Sequence, residues 1–105
     1  MSKKRTVQGD AEAKRVAAAE NKALYEKGLI LLEGKGVPRD VPEAVRCFCT
    51  AANAGHVASI IKVIDLDEAG DAAIRSEIMR HADDTLRKRL AYFRRLKNAS
   101  GGTTG

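Results

Sequence analysis

Tryptophan is absent, and Tyr25, Phe48, Tyr92 and Phe93 are the whole aromatic complement of the 105 residues. A β-sheet draws on aromatic and β-branched side chains for its faces, so this deficit argues against one. Alanine supplies much of the hydrophobic content instead. It is the best helix former, and it lets two helices approach closely. The fold class expected is therefore all-α, with a thin core. Long apolar runs are missing too: the longest, at residues 29–32, falls far short of the roughly 20 residues that span a membrane. Asp10, Glu12 and Glu20 interrupt the basic start of the chain before any apolar run of signal-peptide length. Cysteine is limited to Cys47 and Cys49. Two residues apart on a helix they face nearly opposite sides, so they neither bridge each other nor share a metal ion. Free thiols suit a reducing compartment, and a cytoplasmic location is expected.

What is present is charge, unevenly placed. The formal net charge is +5, from 19 basic and 14 acidic residues. Lys3, Lys4 and Arg5 lie in one terminal stretch, and six further bases fall within residues 87–97. Such asymmetry marks a surface for nucleic acid or an acidic partner, or else a solvated face.

Along the chain, residues 1–9 carry charge without periodicity and are expected to form a disordered basic tail. Asp10 can cap a helix over about residues 11–33, about 35 Å long at 1.5 Å per residue. Gly28 inside it costs roughly 1 kcal/mol relative to alanine. Gly34 ends that helix, and GKGVPRD forms a loop in which Gly34 and Gly36 are free to take positive φ. Asp40 opens a second helix, with Glu43 in a capping-box relation and Pro42 in the first turn. Gly55 closes it. A short third helix starts near His56 and carries Val57, Ile60, Ile61, Val63 and Ile64. Asp71 caps a fourth stretch in which Ile74, Ile78, Ala82, Leu86, Leu90 and Phe93 recur at helical spacing. Asp83 and Asp84 can restart the helix there, which leaves one long helix or two. Residues 10–98 make a single helical domain, followed by a polar tail over 99–105.

Residues 23–58 resemble a repeat of the Sel-one-like family, short α/α relatives of tetratricopeptide repeats. Ala23, Tyr25, Gly28, Gly34, Gly36, Val37, Asp40, Ala44, Phe48, Ala51, Ala52, Gly55 and His56 meet the family pattern at its spacing. Lys27, Leu31, Cys47 and Ser59 depart from it and thin the core. A shift of 36 residues brings Ser59 onto Ala23 and Gly70 onto Gly34, but Ile64 onto Gly28 and Asp67 onto Leu31. The second unit, residues 59–98, is thus degenerate and reads as a cap ending in a basic helix. The resemblance implies short solenoid-like hairpins and an adaptor role through protein–protein contact, commonly in bacteria. In this pattern Gly28 leaves room at a helix crossing, which Ala44, Ala51 and Ala52 are expected to fill.

One or two hairpins are fewer than the three a solenoid needs to bury a continuous core, so another surface has to complete it. Leu29, Ile30 and Leu32, with Leu31, make the first helix apolar on nearly every side, as in a helix buried on more than one face. The expectation is that the basic C-terminal helix folds back over part of this surface. The rest would form a homodimer or partner interface. On that last helix Leu86, Leu90, Phe93 and Leu96 form an apolar stripe. Arg87, Lys88, Arg94 and Arg95 gather opposite, flanked by Arg89 and Lys97. An acidic protein groove or a phosphate backbone would use such an arc, as would plain solvation.

Catalytic and cofactor chemistry finds no constellation. Cys47 and Cys49 are separated from His56 by helical turns and a glycine, and with His81 they lack the paired spacing of zinc sites. Asp65, Asp67, Glu68 and Asp71 lack the alternation of a calcium loop and read as a solvated turn. No enzyme, cofactor, metal or small-molecule substrate is expected. A protein-binding adaptor or regulator leads, and a small nucleic-acid-associated protein is the alternative.

Overall fold

A computed structural model describes the backbone of residues 2–104 and the side chains of residues 12–96. Five helices follow one another: α1 (Ser2–Glu33), α2 (Val41–Asn53), α3 (Val57–Glu68), α4 (Ala72–His81) and α5 (Asp84–Thr104). The described residues contain no strand, and the protein is all-α.

Each helix end is set by local chemistry. The last carbonyls of α1 are taken by the loop that follows: Ile30 O accepts from Gly34 N and Lys35 N, and Leu31 O accepts from Asp40 N at 3.0 Å. Arg39 Nε donates to Leu32 O at 3.0 Å. Gly34, with φ of 72°, makes this reversal, a conformation that an L side chain adopts only under strain. At the start of α2, Asp40 Oδ1 accepts from Glu43 N at 3.1 Å. The capping box is only half made, however. The Glu43 carboxylate turns away to Arg46, which it meets with both oxygens. Asp71 Oδ1 caps α4 by accepting from Ala73 N and Ile74 N.

The stretch after Asp71 is two helices. Ala82 takes an extended conformation, with ψ of 131°, and Asp83 Oδ1 then accepts from Leu86 N at 2.8 Å to start α5. The break is held from a distance. Asn53, at the end of α2, donates through Nδ2 to His81 O at 2.9 Å and accepts through Oδ1 from Asp83 N at 3.1 Å. Its amide pairs with the 81–83 backbone as another peptide would.

The helix α2 is the centre of the fold. It packs against α1, α3, α4 and α5, and Ala44, Val45, Cys47, Phe48, Cys49, Ala51 and Ala52 are all buried. Small side chains on several faces allow four neighbours to close around one helix. At Gly28 the backbone of α1 lies close against α2. A Cβ there would lie 2.6 Å from the Phe48 ring, so the ring of Phe48 fills the gap rather than the alanines expected to do so.

Both termini differ from expectation. The helix α1 begins at Ser2 and α5 reaches Thr104, so the stretches expected to be disordered, 1–9 and 99–105, are almost wholly helical. Residues 2–8 contain no helix breaker; their lack of periodicity bears on burial and not on helix formation. The side chains of Lys3, Lys4, Arg5 and Lys97 lie outside the described residues.

Candidate binding surfaces

The side of α1 that meets α2 presents Tyr25, Gly28 and Leu32, with Leu29 and Leu31 on the flanks, all packed on or near the core cluster. Tyr25 contacts Phe48 and His56, with ring centroids 5.9 and 5.6 Å apart. His56 stands at the N-cap of α3, and its Nδ1 is 2.7 Å from the Oγ of buried Ser59. Of the repeat-pattern residues, Tyr25, Gly28, Phe48 and His56 therefore meet at one α1–α2–α3 junction, while Ala23, Gly36 and Val37 are exposed.

The opposite side of α1 is open. Val16, Ala23 and Ile30 are spaced by seven residues and so lie along one stripe facing away from α2. Val16 is 56% exposed and Ile30 42%, and every residue from 12 to 20 is exposed. Leu29 and Leu32 are only partly buried. The cover expected from the basic helix is not there: α5 packs on α3 and α2 instead. Within one chain α1 thus has a single packing side, despite its apolar circumference.

The basic arc is rearranged as well. Arg94 turns inward to Asp67, donating through Nε to Oδ2 at 2.6 Å and through Nη2 to Oδ1. Asp67 is 1% exposed, so it belongs to the core and not to a solvated turn. Its backbone carbonyl accepts from Arg75 Nε at 2.9 Å, and that nitrogen also lies 3.7 Å from Oδ1. Hydrogen bonding to Asp67 pushes the Arg94 guanidinium further above its ordinary value. Arg87 is committed too, donating through Nη2 to Met79 O and capping α4. Of the four bases expected to line a partner surface, only Lys88 and Arg95 have no ion pair or hydrogen bond among the described residues.

Paired with Asp67, Arg94 takes a place on the core side of α5. Leu86 and Leu90 point into the core, but Phe93 and Leu96, expected on the same stripe, are 40% and 49% exposed. Tyr92 joins them outside at 55%. The outward side of α5 therefore mixes apolar and basic side chains. The clue in the sequence is the stripe Ile60, Val63, Asp67: an acid at a buried position of α3 requires a cation opposite.

Neither thiol is arranged as a nucleophile. Both cysteines are buried; burial pushes Cys49 up to about 12 and, with Glu43 nearby, also raises Cys47. A nucleophilic cysteine needs the opposite shift. Among the described residues no group of three His, Cys, Asp or Glu side chains is placed to hold a metal ion. None of the described helices is long and apolar enough to cross a membrane. Comparison with known proteins finds no family model that matches the chain, and no curated protein or solved structure significantly similar to it.

Proposed function

We propose that this chain is a protein-interaction module, a short helical-hairpin repeat of the Sel-one-like kind that docks a protein partner or a second copy of itself on the outer side of α1. The observation that carries this is the exposed stripe Val16, Ala23 and Ile30, on a helix whose other side is the wall of the core. A helix covered on one side only, with apolar residues on both, is the end of an unfinished stack. Fully burying a side chain such as Ile30 contributes about 1.5–3 kcal/mol, so its remaining exposed area is worth about 1 kcal/mol to a partner. Two buried free thiols suit a reducing compartment, and the module is taken to be a cytoplasmic adaptor or regulator. The alternative, binding of a phosphate backbone through the basic arc, loses support because Arg87 and Arg94 are committed within the fold.

The mass in solution at high micromolar concentration, measured with binding of a hydrophobic dye, tests the proposal. Self-association or dye binding is expected, and Val16→Asp with Ile30→Asp should abolish the self-association and reduce the dye binding while leaving the melting temperature nearly unchanged. A monomer that binds no dye would overturn it. A steep loss of oligonucleotide affinity between low and moderate salt would instead favour the phosphate reading.

A further inference from the structure

The outward side of α5 is a second, chemically different surface. With Leu86, Leu90 and Arg94 turned to the core, the helical repeat sets Tyr92 and Leu96 side by side on the exposed side, with Tyr92 close to its middle. Lys88 and Arg95 border them on one edge. Arg89 borders them on the other, with Phe93 beyond it. Lys88, Arg89 and Arg95 are exposed and have no ion pair or hydrogen bond among the described residues. No acid occurs anywhere from residue 85 to the end of the chain. The strip is therefore apolar at its centre and positive on both margins.

We propose that this side of α5 docks an acidic amphipathic segment of another protein, its apolar side chains against Tyr92 and Leu96 and its carboxylates against the two basic margins. Charge complementarity selects this occupant. An amphipathic helix whose apolar stripe is flanked by glutamates on both sides is the mirror of the strip. Tyrosine, phenylalanine and arginine are also the side chains that anchor protein interfaces. Nucleic acid fits less well. A phosphate backbone would follow one basic margin and leave the apolar centre unused. Tyr92 and Phe93 pack edge to face, with centroids 5.6 Å apart, so the pair does not offer two free ring faces for successive bases. A lipid surface fits less well again, because interfacial helices bury a long apolar face and three side chains make a short one.

Fluorescence anisotropy with a labelled synthetic helix, a leucine stripe bordered by glutamates on both edges, tests the proposal directly on the full chain. Saturable binding in the micromolar range is expected. The same peptide with glutamine for glutamate should bind at least about tenfold more weakly, about 1.4 kcal/mol. Tyr92→Ser with Leu96→Ser should also lose about tenfold, and Arg89→Gln should weaken binding as Lys88→Gln does, because both margins are used. All these side chains are exposed, so unchanged melting curves confirm intact folding. Val16→Asp with Ile30→Asp should leave the peptide affinity unchanged, which separates this site from the α1 surface. The proposal is overturned if the glutamine peptide binds equally well, or if the Tyr92 and Leu96 substitutions have no effect. It is equally overturned if a 20-nucleotide oligouridylate or phosphatidylserine vesicles bind the chain while the acidic peptide does not.

Discussion

Replacing Arg94 with methionine keeps most of the side chain's apolar stem and removes its charge. The Asp67 carboxylate, 1% exposed, then loses the donors to both of its oxygens. Breaking a buried ion pair from one side costs about 3–5 kcal/mol, because the charge left behind is uncompensated. Two features of this site lower that figure. The Arg94 side chain is itself 42% exposed, so water reaches the vacated position. Arg75 Nε, 3.7 Å from Oδ1, remains as a partial partner. A loss of about 2–3 kcal/mol is expected, or about 10–20 °C in melting temperature for a domain this small. Asp67→Asn should cost less, since Arg94 can then swing into water. Urea unfolding followed by circular dichroism on the four corners of the Arg94→Met, Asp67→Asn cycle measures the coupling, which should exceed 1 kcal/mol. Added salt should weaken it only in part, because Asp67 is buried while Arg94 is partly exposed. A loss below about 0.5 kcal/mol for Arg94→Met, the size of an ordinary surface change, would refute the assignment of Arg94 to the core.

Gly28→Ala should destabilise by about 1–2 kcal/mol, since overpacking against Phe48 outweighs the gain of roughly 1 kcal/mol in helix propensity. In a Phe48→Leu background the clash is gone and the same substitution should become neutral or stabilising in urea unfolding. Asn53→Ala removes both hydrogen bonds to the 81–83 segment and should cost about 1–3 kcal/mol, with faster amide hydrogen exchange at the start of α5. Unfolding measured against pH should show the cysteines: above about pH 9 the unfolded chain ionises its thiols while buried Cys49 stays protonated until about 12. The unfolded state then binds fewer protons, so stability falls with rising pH by up to about 1.4 kcal/mol per pH unit, a component that Cys49→Ala removes.

The first hairpin was legible because its determinants are local. Gly34, Asp40, Pro42 and Gly55 act within a turn or two of their own positions, and each marks an observed helix boundary. The central place of α2 was foreshadowed by its alanines and cysteines, although Phe48 as the filler of the Gly28 gap needed the actual crossing. The break between α4 and α5 was half legible: Asp83 is a capping residue, but Asn53, the partner that holds the break, lies 30 residues away. The rotation of α5 was not legible from its own sequence. Its helical wheel favours Leu86, Leu90, Phe93 and Leu96 as one stripe, and only a partner 27 residues upstream pulls Arg94 inward in their place. Reading α3 and α5 together would have exposed the conflict, since Asp67 falls on the buried side of one and an arginine is the nearest cation on the other.

That conflict connects stability to function. An ion pair inside a small core adds little net stability compared with apolar residues of similar volume, but it can select one arrangement among several of similar energy. Here the competing arrangement is a turn of α5 that buries Phe93 and Leu96 and sends Arg94 outside. Replacing the pair by Asp67→Leu with Arg94→Leu removes the penalty against that alternative and should leave stability within about 1–2 kcal/mol of the parent. If the pair holds the docking side outward, the double variant should bind the acidic peptide more weakly although Lys88, Arg89, Tyr92 and Leu96 are untouched. Quenching of the exposed tyrosine at position 92 should change with it. An equally stable double variant that binds the peptide as well as the parent would mean that Leu86 and Leu90 orient α5 without help. Asp67 and Arg94 would then contribute to stability alone.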